Sequence, residues 1–196
     1  MSKLVLTEFL EFRTDSDLLT EEERKAVQEG EEIYLAGVMQ RAGATNGNGR
    51  IYPKPILERE VENYQKLVRE GRAVGELDHP DSSVVELKNA SHLVTEIKMD
   101  GDDVVGKIRI LDTPAGQTAI GLLKGGVKLG ISSRGLGSTR NEAGKTIVQD
   151  DFQLVCFDLV SEPSTTGAFM LREGKEPNIF TKADKINRLL NDLVKE

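Results

Sequence analysis

The feature that most constrains this chain is a succession of short apolar runs between residues 32 and 160, cut off repeatedly by Gly, Asn, Asp or Pro. Runs of this length bounded by turn residues read as strands. Those joined by tight turns must pair antiparallel, because a parallel partner needs a long crossover. Residues 33–39 read as a buried strand, and 73–77 as a short one leading straight into His79. Residues 92–99 and 104–110 read as two strands joined by Asp100-Gly101-Asp102-Asp103, a hairpin turn. Residues 127–132 read as a strand that ends in glycine-rich turns, and 146–148 and 152–160 as further strands around Asn141-Glu142-Ala143-Gly144. Two helices interrupt the strands. Pro55 opens the first, since its missing N–H is harmless in a first turn, and Ile56, Leu57, Val61, Tyr64, Leu67 and Val68 recur at helical spacing until Gly71. Thr113-Pro114 starts the second, which runs through Ile120, Leu122 and Leu123 to Gly125-Gly126.

The expected class is therefore α+β, with a mostly strand core over residues 32–172. Residues 1–31 read as a peripheral segment, in which 3–6 are a candidate edge strand and Thr20-Glu21-Glu22-Glu23 resembles a helix N-cap with acids on the first turn. Residues 173–196 read as a polar linker followed by an amphipathic helix, with Ile186, Leu189, Leu190, Leu193 and Val194 on one face. A chain of 196 residues, 38% of them hydrophobic, is long enough to bury a core as one domain with charged extensions. A net charge of −7 argues against a broad nucleic-acid surface. The single cysteine, Cys156, excludes an internal disulfide and suits a reducing compartment; its neighbours Leu154, Val155 and Phe157 mark it as a core residue. No apolar run is long enough to span a bilayer and no signal-peptide core follows Met1, so a soluble chain made in a cytoplasm is expected.

Two segments carry candidate chemistry: Gly75-Glu76-Leu77-Asp78-His79-Pro80 and Gly130-Ile131-Ser132-Ser133-Arg134-Gly135. Serine is a weak nucleophile until a positioned base removes its proton, and histidine is the usual base. The chain has only two histidines, and His79 is one of them. Pro80 bars a helix through His79, which leaves it at a strand end or turn, where it is either a base facing a cleft or a plain turn residue. The Ser132-Ser133 pair reads either as a strand-to-turn transition or as a nucleophile whose flanking glycines let backbone and substrate approach closely. Arg134 reads as fixed positive charge beside the serine or as a surface arginine. Asp78 is a poor orienter for His79, because adjacent residues of an extended segment point to opposite faces. Asp158 is better: a carboxylate within Phe157-Asp158-Leu159-Val160 needs a reason to be there, either orienting a histidine or satisfying backbone N–H groups. His92 opens a strand beside Ser91 and is an alternative orienter or an ordinary strand residue. Asp78, His79 and Asp81 give no recognisable metal spacing, and Asp100-Gly101-Asp102-Asp103 lacks the length and terminal Glu of a calcium loop. No metal or cofactor is expected.

Asn48-Gly49-Arg50-Ile51-Tyr52-Pro53, Gly75-Glu76-Leu77-Asp78-His79-Pro80 and Gly130-Ile131-Ser132-Ser133-Arg134-Gly135-Leu136-Gly137-Ser138 occur, in this order and at similar spacing, in the prohead core proteases of T-even-type tailed phages. Over residues 32–165 the chain resembles that family, and Ser-Ser-Arg-Gly-Leu-Gly-Ser is the specific part of the match. The resemblance implies a small, mainly antiparallel β-barrel wrapped by helices, as in the herpesvirus assembly proteases. It implies that His79 is the general base, Ser132 the nucleophile and Asp158 the third member of a triad. Ser133 would be the neighbour, with backbone N–H groups near Arg134 and Gly135 holding the oxyanion. His92 precedes the serine and does not match the second histidine of the herpesvirus enzymes. The implied activity is a serine endopeptidase that cuts scaffold, core and capsid proteins inside the assembling prohead in the host cytoplasm. Self-association is compatible with it; direct nucleic-acid or membrane binding is not expected. Cleavage after Glu in Leu/Ile-x-Glu is implied, and Leu6-Thr7-Glu8, Leu19-Thr20-Glu21 and Leu171-Arg172-Glu173 fit it. Self-processing after Glu173 would release the C-terminal helix as a packaging or scaffold-docking tag. Ile56-Leu57-Glu58, inside a predicted helix, shows that such tripeptides also arise by chance. A non-catalytic scaffold or structural head protein on the same fold, and an esterase or amidase acting on small substrates, are the competing readings.

Overall fold

The computed structural model describes residues 4–9, 20–22, 32–80, 82–161 and 169–172. The strands in chain order are β1 (Leu4–Phe9), β2 (Tyr34–Arg41), β3 (Arg50–Ile51), β4 (Val74–Glu76), β5 (Ala90–Asp100), β6 (Asp103–Ile110), β7 (Leu129–Gly137), β8 (Thr139–Glu142), β9 (Lys145–Val148), β10 (Gln153–Val160) and β11 (Phe169–Arg172). Helix α1 spans Lys54–Arg69 and α2 spans Pro114–Lys124. The linker and amphipathic helix expected after Glu173 lie outside the described residues.

The larger sheet runs β1-β7-β11-β2-β6-β5-β4, with β10 also on β7. Its ladders are antiparallel. The expected class holds, but the expected closed barrel is not shown. The strands form an open path whose far ends meet, among the described residues, only through an isolated parallel bridge between Leu77 and Leu159. A smaller sheet holds β3, β9 and β8; β8 and β9 form a hairpin around Ala143 and Gly144, both at positive φ, as a two-residue hairpin turn requires.

β7 departs most from the sequence expectation. It does not end at Ser132 but continues to Gly137, and its glycines serve packing, not turning. A Cβ on Gly135 would lie 2.4 Å from the Phe152 ring and 2.7 Å from the Gln153 carbonyl oxygen. These glycines bring β7 and the start of β10 together over the ring of Phe152, which stacks edge-on against Tyr52 at 5.1 Å. α1 clamps the same strand from outside. Ile56, Leu57, Val61 and Tyr64 are buried at the spacing the sequence predicts, each stabilising by about 1.5–3 kcal/mol if fully buried. Glu60, on the same face, accepts the Leu154 N–H at 2.7 Å, and Arg59 donates to the Phe152 carbonyl at 2.8 Å. β10 is thereby fixed against both β7 and α1.

Gly135→Ala is expected to destabilise the fold by about 1–3 kcal/mol, because the added methyl group overpacks a filled site. Gly121→Ala, on an exposed face of α2 with no atom within 4 Å, is expected to stabilise by up to about 1 kcal/mol. Urea denaturation of the two variants beside the parent checks both.

Candidate active site

Segments 76–79, 132–134 and 156–158 come together around the β7–β10 ladder. In the β7–β10 ladder Ser132 lies opposite Asp158 and Arg134 opposite Cys156, so these four side chains share a face. Ser133 pairs with Phe157 on the other face, within the apolar core. The period of two thus separates the two serines. Ser133 Oγ is buried with no hydrogen-bond partner among the described residues.

His79 reaches this face because of how β4 ends. Leu77 bridges to Leu159, and the Asp78 N–H donates to the Leu159 carbonyl at 2.7 Å. Asp78 adopts φ +69°, a conformation that aspartate tolerates better than most residues. Its own side chain is exposed, while the turn sends His79 back over β10. His79 Nδ1 lies 2.8 Å from Asp158 Oδ2, and His79 Nε2 is hydrogen-bonded to Ser132 Oγ. A carboxylate oxygen only accepts, so Nδ1 carries the hydrogen and Nε2 is left to accept from the serine hydroxyl. The structure therefore brings together the three residues that the sequence placed 79 and 53 positions apart from each other around His79.

Asp158 is fully buried and held from several elements. Oδ1 accepts the Glu76 N–H at 3.0 Å, Arg134 Nη2 at 3.2 Å and the Cys156 thiol at 3.3 Å. Oδ2 accepts Arg134 Nε at 2.9 Å besides His79. Burial pushes the Asp158 carboxyl up, but the His79 hydrogen bond, the Arg134 charge and the Glu76 N–H together hold it below its ordinary value. Burial likewise pushes the Cys156 thiol up, so it keeps its proton and donates it.

Arg134 donates to Asp158 from Nε and Nη2. Its fully buried guanidinium also pairs with Glu76 and donates from Nη1 to the Ser82 carbonyl at 2.6 Å. Glu76 in turn accepts the Glu86 N–H at 3.1 Å, which ties the loop after His79 to the same network. Arg134 and Gly135 lie mid-strand, with β1 and β10 pairing the same residues and therefore occupying opposite edges. Their backbone N–H groups face those neighbours in this arrangement.

The second histidine has a different task. His92 is fully buried; its Nε2 donates to the Phe157 carbonyl at 3.0 Å, and its Nδ1 accepts from Ser91 Oγ at 2.8 Å. Burial lowers its pKa to about 4, so it stays neutral. It braces the residue just before Asp158. The fit is tight: a Cβ on Gly75 would lie 2.0 Å from the Phe157 oxygen and 2.3 Å from His92 Nε2. Sequence reasoning missed Glu76 as a site residue. The signal was present, since a carboxylate in the apolar strand before His79 needs a partner as much as Asp158 does. Glu8 lies in β1; Glu21 is exposed in a helical stretch. Glu173 lies outside the described residues.

Comparison with known proteins places the chain in a family. The family model for the prohead core protein serine protease matches residues 13–179. The prohead core protein protease of Enterobacteria phage T4 is 33% identical over 173 residues, covering 84% of this chain and 82% of that protein. The solved structure of the bacteriophage T4 capsid assembly protease, gp21, superposes with a TM-score of 0.66 at 28% identity, covering 82% of this chain and 99% of the other. The chain belongs to the prohead core protein serine protease family.

The buried network makes two predictions. Arg134→Gln leaves Asp158 and Glu76 without their cation and is expected to cost about 3–5 kcal/mol. Adding Glu76→Gln is expected to cost much less than it does alone, a coupling of about 1 kcal/mol or more read from urea denaturation of the cycle. The second concerns pH. Unfolded, His92 takes up a proton near its ordinary value of 6.5; folded, only near 4. Stability from this group is full above pH 6.5 and falls as pH drops from 6.5 to 4, by about 3 kcal/mol in all. His92→Gln is expected to flatten that window in denaturation curves. The acid loss below it, where Asp158 is protonated, should remain.

Proposed function

We propose that this protein is a serine endopeptidase that cuts core and capsid proteins of an immature phage head, inside the assembling prohead. Ser132 is the nucleophile, His79 the general base and Asp158 the group that orients and charge-balances His79. The observation that carries the reading is the chain of contacts from Ser132 Oγ through His79 to Asp158, built from three separate elements. A structural role alone gives no reason for a serine hydroxyl, an imidazole and a buried carboxylate to line up in this order.

In the proposed reaction Ser132 Oγ attacks the scissile carbonyl while His79 Nε2 takes its proton. Asp158 stabilises the resulting imidazolium through Nδ1–H. Collapse of the tetrahedral intermediate breaks the C–N bond, and His79 returns the proton to the leaving amine. Water, deprotonated by the same imidazole, then hydrolyses the acyl-enzyme. The proposed specificity is for Glu in Leu/Ile-x-Glu, with Glu8, Glu21 and Glu173 as positions of self-processing. The competing reading of a non-catalytic head protein leaves this alignment without a use.

Ser132→Ala is expected to lower the rate of scaffold-protein cleavage by roughly 10⁴-fold or more, whereas Ser133→Ala, on the core face, should retain most of it. Electrophoresis of co-expressed scaffold protein measures both. Undiminished cleavage by Ser132→Ala, or loss with Ser133→Ala alone in a folded protein, would reassign the nucleophile. Loss with neither variant would remove the serine-protease reading.

A further inference from the structure

Ser132 is 0% exposed, although a nucleophile must reach a peptide bond. The register of β1 identifies the strand that lies alongside it. β1 runs antiparallel along β7 from Leu4 opposite Gly137 to Glu8 opposite Ser133 and Phe9 opposite Ser132. Among the described strands β1 pairs with β7 alone, so it is an added edge strand. β10 occupies the other edge of the same residues. β11 takes up the β1 side of β7 at Gly130 and Leu129, just beyond Ser132. A chain lying in the β1 position therefore cannot continue along the sheet; it must leave the ladder beside the serine.

We propose that this edge of β7 is where an extended substrate segment docks, and that residues Leu4–Phe9 occupy it as an intramolecular stand-in for that segment. The proposal rests on the serine-endopeptidase reading and specifies its substrate geometry. The partner is a polypeptide in extended form, held antiparallel to β7 by main-chain hydrogen bonds, the mode by which sheet edges take up peptides. The peptide bond between the residues facing Ser133 and Ser132 is the one presented to the nucleophile; in this chain it is Glu8–Phe9. Removing β1 also uncovers the β7 N–H groups on that edge, including those available to an oxyanion. Of Glu8 and Glu21, the proposed self-processing positions among the described residues, Glu8 is the one paired beside Ser132 and Ser133. β11 instead runs from Gly130 across to Leu35, away from Ser132. A tethered strand competes at an effective concentration of roughly millimolar, so an incoming peptide binds weakly until β1 is displaced or cut.

The test uses a quenched fluorescent peptide with the sequence of residues 3–14. Three proteins are compared: the full chain, a chain beginning at residue 10, and the full chain with Leu6→Pro/Thr7→Pro. Neighbouring residues of a strand direct their N–H groups to opposite edges, so one of the two prolines removes a β1–β7 hydrogen bond while the core is left alone. Both variants are expected to cleave the peptide between Glu8 and Phe9 with KM about tenfold or more below that of the full chain and kcat within about twofold. An unchanged KM in a variant that melts like the parent, or a cut at another bond, would overturn the inference, leaving β1 as a cover that only protects an edge. Fluorophosphonate labelling separates the two levels of the argument. Labelling abolished by Ser132→Ala, with no peptide cleaved by any of the three proteins, sinks the inference and spares the serine-hydrolase reading. Labelling that survives Ser132→Ala sinks the reading itself.

Discussion

The carboxylate of Asp158 is the contact around which the site is assembled. It is buried within β10 and receives hydrogen bonds from the Glu76 backbone, the His79 ring, two nitrogens of Arg134 and the Cys156 thiol. A bare carboxylate in that position would be strongly destabilising. With these donors it becomes a fixed point that sets the distance between β4, the turn at His79, β7 and β10. The surrounding structure is arranged to keep it so. His92 holds the Phe157 carbonyl, Gly75 leaves the room for that bond, and Glu60 and Arg59 pin the start of β10 to α1.

The charges of the network matter as much as its geometry. Asp158 and Glu76 set two negative charges against the one positive charge of Arg134. The buried cluster is therefore anionic by one unit beside His79. In the proposed reaction the imidazolium that forms on His79 brings the cluster to neutrality, so charge develops where it is already compensated. Arg134 contributes from behind. It holds Asp158 ionised and in place.

Much of this was legible in the sequence, and the limits have physical causes. Most strands and the two helices followed from apolar runs and from Pro and Gly signals, whereas β3 and β8, short and without an apolar run, and β11 did not. His79 and Asp158 stood out because Pro80 excluded a helix and because a carboxylate in an apolar strand needs partners. What the sequence left open was set by pairing. Ser132 and Ser133 are chemically identical until the β7–β10 register assigns them to opposite faces. The glycines of β7 read as turn formers until Phe152 is seen packed against them. Arg134 could have faced solvent, since no local pattern records that Glu76, far away in the chain, lies beside it. A sequence of strands also does not tell whether a sheet closes, and here only the Leu77–Leu159 bridge joins the far ends.

β7 reconciles two requirements that oppose each other. The Asp158 network needs a dry, tightly packed setting, whereas a protease must admit a polypeptide to its nucleophile. On β7 the two are divided between edges. The edge facing β10 is permanently paired and supports the buried charges through Arg134 and Asp158. The edge facing β1 is paired with a strand that has no other partner among the described residues. An antiparallel ladder is made of main-chain bonds that any extended segment can reproduce. Exchanging β1 for another chain would therefore leave the Ser132–His79–Asp158 alignment intact, because none of its contacts passes through that edge.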